Sequence, residues 1–181
     1  MIRHALPGLA ATFGLLAILG SAQAQTRHNS NAPIDFSANA IELQDRANRA
    51  VLTGGVTIRQ STMTLTADRV VVDYVGQVTE GASPQASRMD ATGNVTVTRP
   101  DQTAKSRFAV YDVNRRVVTM IGGVQLTQGA NTLTGGRLSI DLDTGRATID
   151  GSGVGTTAAP GGSVQQSGGR VTGRFSVPKR N

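Results

Sequence analysis

At 181 residues the chain is long enough for one domain with a sizeable core, yet it has no cysteine, no tryptophan, four Phe and two Tyr. That core must therefore be filled by aliphatic side chains and Met, and thiol nucleophiles, disulfides and thiolate metal sites are excluded. The formal net charge of +6 points to anionic partners, while the scarcity of aromatics argues against base stacking on a nucleic acid.

Residues 1–24 read as an export signal. Arg3 and His4 give the positive start, Ala5 to Gly20 the apolar stretch, and Ala22-Gln23-Ala24 an A-x-A cleavage site. The run is short for a membrane span and is interrupted by Pro7, Gly8 and Gly14. Cleavage after Ala24 would leave Gln25 to Ala32 as a polar lead-in without periodicity, expected to be disordered.

From Pro33 the pattern becomes β. Ile34, Phe36, Ala38, Ile41 and Leu43 match the second half of a unit that is most legible in GGVTIRQSTMTLTADRVVVD, Gly54 to Asp73, and GGVQLTQGANTLTGGRLSID, Gly122 to Asp141. Nine of these twenty positions are identical. A weaker copy runs from Gly93-Asn94-Val95 to Asp112, with the Val and the Asp 17 positions apart in all three. The Gly anchors at 54, 93 and 122, with Gly151 next, imply a period of 29 and a ten-residue insertion within Gly76 to Ser87. A unit this small becomes stable only by stacking on its neighbours.

Within each unit apolar residues alternate, as in Leu52, Gly54, Val56, Ile58 and in Met120, Gly122, Val124, Leu126. This period of two predicts a strand with one buried face. A two-residue Gly-Gly hairpin would break the alternation, so one long strand kinked or bulged at the glycines is expected. Leu65 and Val70, like Leu133 and Leu138, are five apart although both should face inward, which requires a second bend at Ala67-Asp68 and Gly135-Gly136. Reversals are expected at Tyr74–Gly76, Val113–Arg115 and Asp143–Gly145. The last clear strand is Arg146 to Gly151. Gly153 to Gln166 reads as a flexible linker, followed by a basic segment with room for one short strand, Arg170 to Val177. The resulting boundaries are 33–153 for the β domain and 154–181 for the tail.

Chemistry is sparse. The histidines are His4 and His28, so a histidine base, a catalytic triad and an imidazole metal site have no candidate. Asp141-Leu142-Asp143-Thr144-Gly145 faintly resembles the start of a calcium loop, but its twelfth position is Ser152, and a plain hairpin turn is the better reading. A non-enzymatic protein without cofactor or metal is expected.

The export signal, the Gly-Gly/Asn-Val anchors, Leu-Thr-Ala-Asp at Leu65 to Asp68, and Leu-Thr-Gly-Gly followed by Ile-Asp-Leu-Asp-Thr-Gly-Arg-Ala at Ile140 to Ala147 together resemble the LptA/OstA family of periplasmic lipopolysaccharide-transport proteins. The resemblance covers about Pro33 to Gly151. It implies an all-β fold, an open twisted β-jellyroll whose two sheets enclose an apolar groove for the acyl chains of lipopolysaccharide. It further implies head-to-tail stacking between LptC-like inner-membrane and LptD-like outer-membrane partners, with no role for nucleic acid. A membrane-anchored LptC-like relay and a purely structural β-repeat are the alternatives.

On that basis the inward parity assigns Val56, Ile58, Leu65, Val70, Val72, Val95, Val97, Val124, Leu126, Leu133, Leu138 and Ile140 to the groove wall. Arg59, Arg69 and Arg137, close to the kinks, are the candidates for the phosphates of the lipid A head group.

Overall fold

The computed structural model describes residues 28–76, 84–151 and the backbone of 172–174. The chain forms a continuous antiparallel meander of six long strands flanked by short ones. The long strands are β3 (Arg49–Gln60), β4 (Met63–Val75), β5 (Gln85–Arg99), β6 (Gln102–Asp112), β7 (Val117–Gln128) and β8 (Asn131–Asp141). At one end β1 (Asp35–Ser37) and β2 (Ala40–Gln44) share β3 as partner. At the other, β9 (Ala147–Asp150) and β10 (Thr172–Arg174) share β8. A single 3-10 turn, Asp45–Ala47, is the one helical element among the described residues. The expected signal, the core of the expected insertion and most of the expected tail lie outside those residues. The short strand expected within Arg170 to Val177 is observed at 172–174.

Every long strand bends at mid-length, and the bends divide the meander into two half-sheets. Register shifts fall between Thr53 and Val56 on β3, Thr66 and Arg69 on β4, Thr92 and Val95 on β5, Lys105 and Phe108 on β6, and Ile121 and Val124 on β7. The first half-sheet holds β1, 56–60, 63–67, 95–99, 102–106, 124–128, 131–135 and β10. The second holds β2, 49–53, 69–75, 85–92, 108–112, 117–121, 137–141 and β9.

The glycines make the bend. Gly54, Gly93 and Gly122 have φ of 78°, 80° and 86°, and the residue after each, Gly55, Asn94 and Gly123, is also left-handed. Two consecutive residues in that region place one extra residue in β3, β5 and β7 opposite their partners, which is a bulge. Gly54 answers a second demand. The side chain of Asn39, between β1 and β2, lies across it, so that a Cβ would come within 2.8 Å of Asn39 Nδ2. Asp68 lies over Gly93 and Arg107 over Gly122 in the same way. Asn94 Nδ2 also donates to Asp68 Oδ2 at 2.8 Å, tying β5 to β4 at the bend. On β4 and β8 the bend falls where the parity slip predicts: Ala67 and Val70 are both buried, and Leu133 packs against the cluster that holds Leu138; β6 shows the same slip at Ser106 and Ala109, both buried.

Both half-sheets turn their apolar faces to one another. Leu52, Val70, Met89, Ala109, Tyr111, Val118, Met120 and Ile140 from the second half-sheet share one buried cluster with Val56, Ile58, Met63, Leu65, Val95, Val97, Val124 and Leu126 from the first. Each such aliphatic side chain gains about 1.5–3 kcal/mol by leaving water. The opposite face of the first half-sheet is threonine-rich: Thr57, Thr66 and Thr96 pair across three strands, and Thr64, Thr98 and Thr103 do so one step along. β-branched polar side chains suit a solvated sheet face.

Candidate functional site: an apolar interior with a polar open side

The interior is built by the inward parity of all six long strands. Of the twelve residues assigned to the groove wall from sequence, Val56, Ile58, Leu65, Val70, Val95, Val97, Val124, Leu126, Leu138 and Ile140 belong to the buried cluster, while Val72 and Leu133 pack against it half-buried. The structure thus brings all twelve onto one surface. The surface is packed against itself. Two concavities among the described residues, of about 580 and 480 Å³, are open to solvent beside the kinks, lined by such exposed residues as Gly123, Gln125, Lys105 and Arg107.

The bend closes one long side of the jellyroll; the opposite side, where the hairpin turns of the two half-sheets meet, is closed by polar contacts. Gln60, at the tip of β3, is inward and almost fully buried. Tyr111 of β6 donates its hydroxyl to Gln60 Oε1 at 2.6 Å, and Gln60 Nε2 donates to the carbonyls of Ser30 (2.9 Å) and Ala32 (3.1 Å). Every hydrogen-bonding group of the Gln60 amide is thereby occupied. Burial raises the Tyr111 phenol above its ordinary value, and the Gln60 bond opposes that shift in part.

Residues 28–32, expected to be disordered, instead form a strap across this side. Asn29 N donates to Ser61 Oγ (3.1 Å) at the β3–β4 turn, Ser30 Oγ to Asp143 Oδ1 (2.7 Å) at the β8–β9 turn, and Arg116 Nη2 of the β6–β7 turn to Asn31 Oδ1 (2.8 Å). Arg116 also forms an ion pair with Asp143 at 3.0 Å. The strap therefore links tips of both half-sheets. His28 begins it with 8% of its surface exposed, and its Nε2 is buried without a hydrogen-bond partner. Burial first, and then the Arg99 charge beside it, hold the imidazole below its ordinary 6.5. The Ser30 hydroxyl and then Arg116 hold the Asp143 carboxyl below its ordinary range. Asp141 is likewise lowered, chiefly by the Thr144 backbone N–H, which with Asp143 N bonds Asp141 Oδ1. That is an Asx-type hairpin turn, as the sequence reading preferred over a calcium loop.

Arg59, Arg69 and Arg137 lie elsewhere. Arg69 shares one cross-strand row with Thr53 and Thr92, and Arg137 pairs with Ile121; both rows, like that of Arg59 with Thr64, are on the face turned away from the interior. Arg99 is the inward cation: it continues the parity of Val95 and Val97 to the tip of β5 and pairs with the buried Gln102. Proximity to the kinks does not signal this position. Parity does, since Arg99 is two residues beyond an inward Val97 and Arg59 one residue beyond an inward Ile58.

The two half-sheets are staggered at the open side. Gln60 of β3 meets Tyr111 of β6, and Arg99 Nη2 of β5 lies 3.5 Å from where a Cβ on Gly145, in the β8–β9 turn, would sit. Each contact joins strands three apart in the meander. The start of the second half-sheet and the end of the first are thus left without a facing partner at their tips. Exposed inward-facing residues mark the first of these: Ile41 pairs with Leu52 and Leu43 with Ala50, yet they are 49% and 55% exposed. Phe36, opposite Ile58 at the same end, is 55% exposed.

An unclosed antiparallel sheet folded along a line of glycine bulges around an aliphatic interior defines an open β-jellyroll. Residues 35–146 match the family described as LptA/(LptD N-terminal domain) LPS transport protein, and the chain belongs to that family. An uncharacterized protein of Rhizobium meliloti (strain 1021) is 27% identical over 157 residues, covering 82% of this chain and 84% of that one. LptH, the LptA homologous periplasmic component of the lipopolysaccharide transport device of Pseudomonas aeruginosa, shares the fold with a TM-score of 0.64 at 19% identity, covering 82% of this chain and 98% of that one. Among the described residues no helix is long and apolar enough to cross a membrane.

Proposed function

We propose that this chain is a periplasmic carrier that bridges the two membranes, holding the acyl chains of lipopolysaccharide between its half-sheets and passing them from an LptC-like to an LptD-like partner. The observation that carries this reading is the aliphatic interior running through all six long strands and ending in the exposed Phe36, Ile41 and Leu43. A chain of methylenes entering there gains about 0.8 kcal/mol for each one buried. Admission along the side requires the Gln60–Tyr111 bond and the strap to yield, and both are polar contacts that water can replace.

The test is native mass spectrometry with purified lipopolysaccharide, comparing the unaltered protein with Phe36→Asp and Leu43→Asp. These positions are exposed, so the folded state should survive, whereas an aspartate at Ile58 or Leu126 would unfold the core. Expected is a one-to-one adduct that both variants weaken. Undiminished adducts would sink the proposal that lipid uses this end of the interior.

A further inference from the structure

The interior is apolar, but at its open side stands a guanidinium with two nitrogens that meet no partner among the described residues. Among the described residues Arg99 Nε and Nη1 are buried without a hydrogen-bond partner, and so is His28 Nε2 beside it. A guanidinium N–H withdrawn from water without an acceptor is among the least tolerable arrangements in a folded protein. Nearby carboxylates do not relieve it. Asp143 is held by Ser30 Oγ and by Arg116, and Asp101, exposed in the same turn as Arg99, forms no ion pair with it among the described residues. Beside the site run Asn29 to Ala32, tied to the tips of both half-sheets by hydrogen bonds.

We infer that Arg99 and His28 form an anion site for a phosphate monoester at the rim of the interior, sheltered by Asn29 to Ala32 until a ligand displaces them. The inference rests on the amphiphile-carrier reading and deepens it. An acyl chain among Val97, Met63 and their neighbours places a head group at the tips of the first half-sheet, which is where Arg99 projects. Arg99 would then turn its guanidinium to the phosphate oxygens, Nη2 pairing with Nε on one edge or with Nη1 on the other as the planar fork that suits a tetrahedral anion, with His28 Nε2 as a further donor once protonated. The strap's carbonyls at Ser30 and Ala32 would give up Gln60 Nε2, which faces the same rim.

The experiment uses the mature chain and three probes: inorganic phosphate, dodecyl phosphate and the uncharged dodecyl maltoside. Affinity is measured by calorimetry, and the Arg99 Nε–H and His28 ring resonances are followed by NMR. Dodecyl phosphate should bind more tightly than dodecyl maltoside and shift both resonances. Arg99→Gln should weaken dodecyl phosphate about tenfold or more and leave dodecyl maltoside unchanged, with Arg59→Gln as the control that alters neither. Amphiphile binding that ignores the phosphate and Arg99 overturns the anion site and leaves the carrier reading standing. Inorganic phosphate shifting the Arg99 resonance while neither amphiphile binds supports the anion site, assigns it to free phosphate and overturns the carrier reading. No response to any probe overturns both. If Arg99→Gln does not fold, the resonances of the unaltered protein decide.

Discussion

Tyr111 and Gln60 are 51 residues apart in the chain and make the buried side-chain bond that joins the two half-sheets. Tyr111→Phe leaves Gln60 Oε1 without its donor, and such a deletion costs about 1–3 kcal/mol. Urea unfolding should show a lower midpoint with unchanged slope. Glycine positions allow a sharper comparison, because Gly54 and Gly55 are both left-handed but only Gly54 has a side chain lying on it. Gly55→Ala reports the backbone term alone, about 1–2 kcal/mol. Gly54→Ala should cost more, and adding Asn39→Gly should recover the excess but not the backbone part. Equal midpoints for the two single variants would refute the close approach of Asn39.

The strap is the element whose hold depends on pH, and both of its shifted groups act in the same direction. The imidazole of His28, faced by Arg99, Gln60, Thr62 and Asp143, has a lowered pKa when covered. The covered form is therefore favoured above 6.5 and loses ground as pH falls from there through the lowered value. Asp143 is also lowered, so its bonds to Ser30 and Arg116 persist until the pH falls below the ordinary 3.8. Amide exchange at residues 29–32, corrected for intrinsic rate, should accelerate in two steps on acidification while Val95 and Val124 stay protected. A rate independent of pH would contradict the burial of His28. None of this element was legible in the sequence. The long strands, their bends and the inward face were, because a period of two and a parity slip are local signals that Leu52 to Ile58 and Leu65 to Val70 display without any partner. His-Asn-Ser-Asn carries no period, and its order comes from Ser61, Arg116 and Asp143, which are distant in the chain. The same limit explains the arginines: chain position next to a kink selected Arg69 and Arg137, while the rim is reached by Arg99, at the far end of its half-strand.

For the whole molecule, the stagger of three strands between the half-sheets has a consequence for assembly. At one end the second half-sheet begins with β2, whose inward Ile41 and Leu43 are about half exposed. At the other, the first half-sheet runs on to β8 and β10, with Leu133 only half-buried. The two ends are complementary steps, so a second copy can extend both half-sheets by pairing its β1 and β2 edge with the β9 and β10 edge of the first. Such a contact would be heterologous and need not close, so its expected product is a filament through which the interior continues. The strap does not cap it, because residues 28–32 run along the open side, from Ser61 to Asp143, and not over the β1–β2 edge. Sedimentation velocity over a concentration series should therefore show growing species, and Ile41→Lys with Leu43→Lys should return a monomer by placing two charges on the step. The substitutions are at exposed positions, so the thermal midpoint should hardly move. A monomer at every concentration in the unaltered protein, also after deletion of Gly155 to Asn181, would refute stacking and leave the two edges to partners of the same fold.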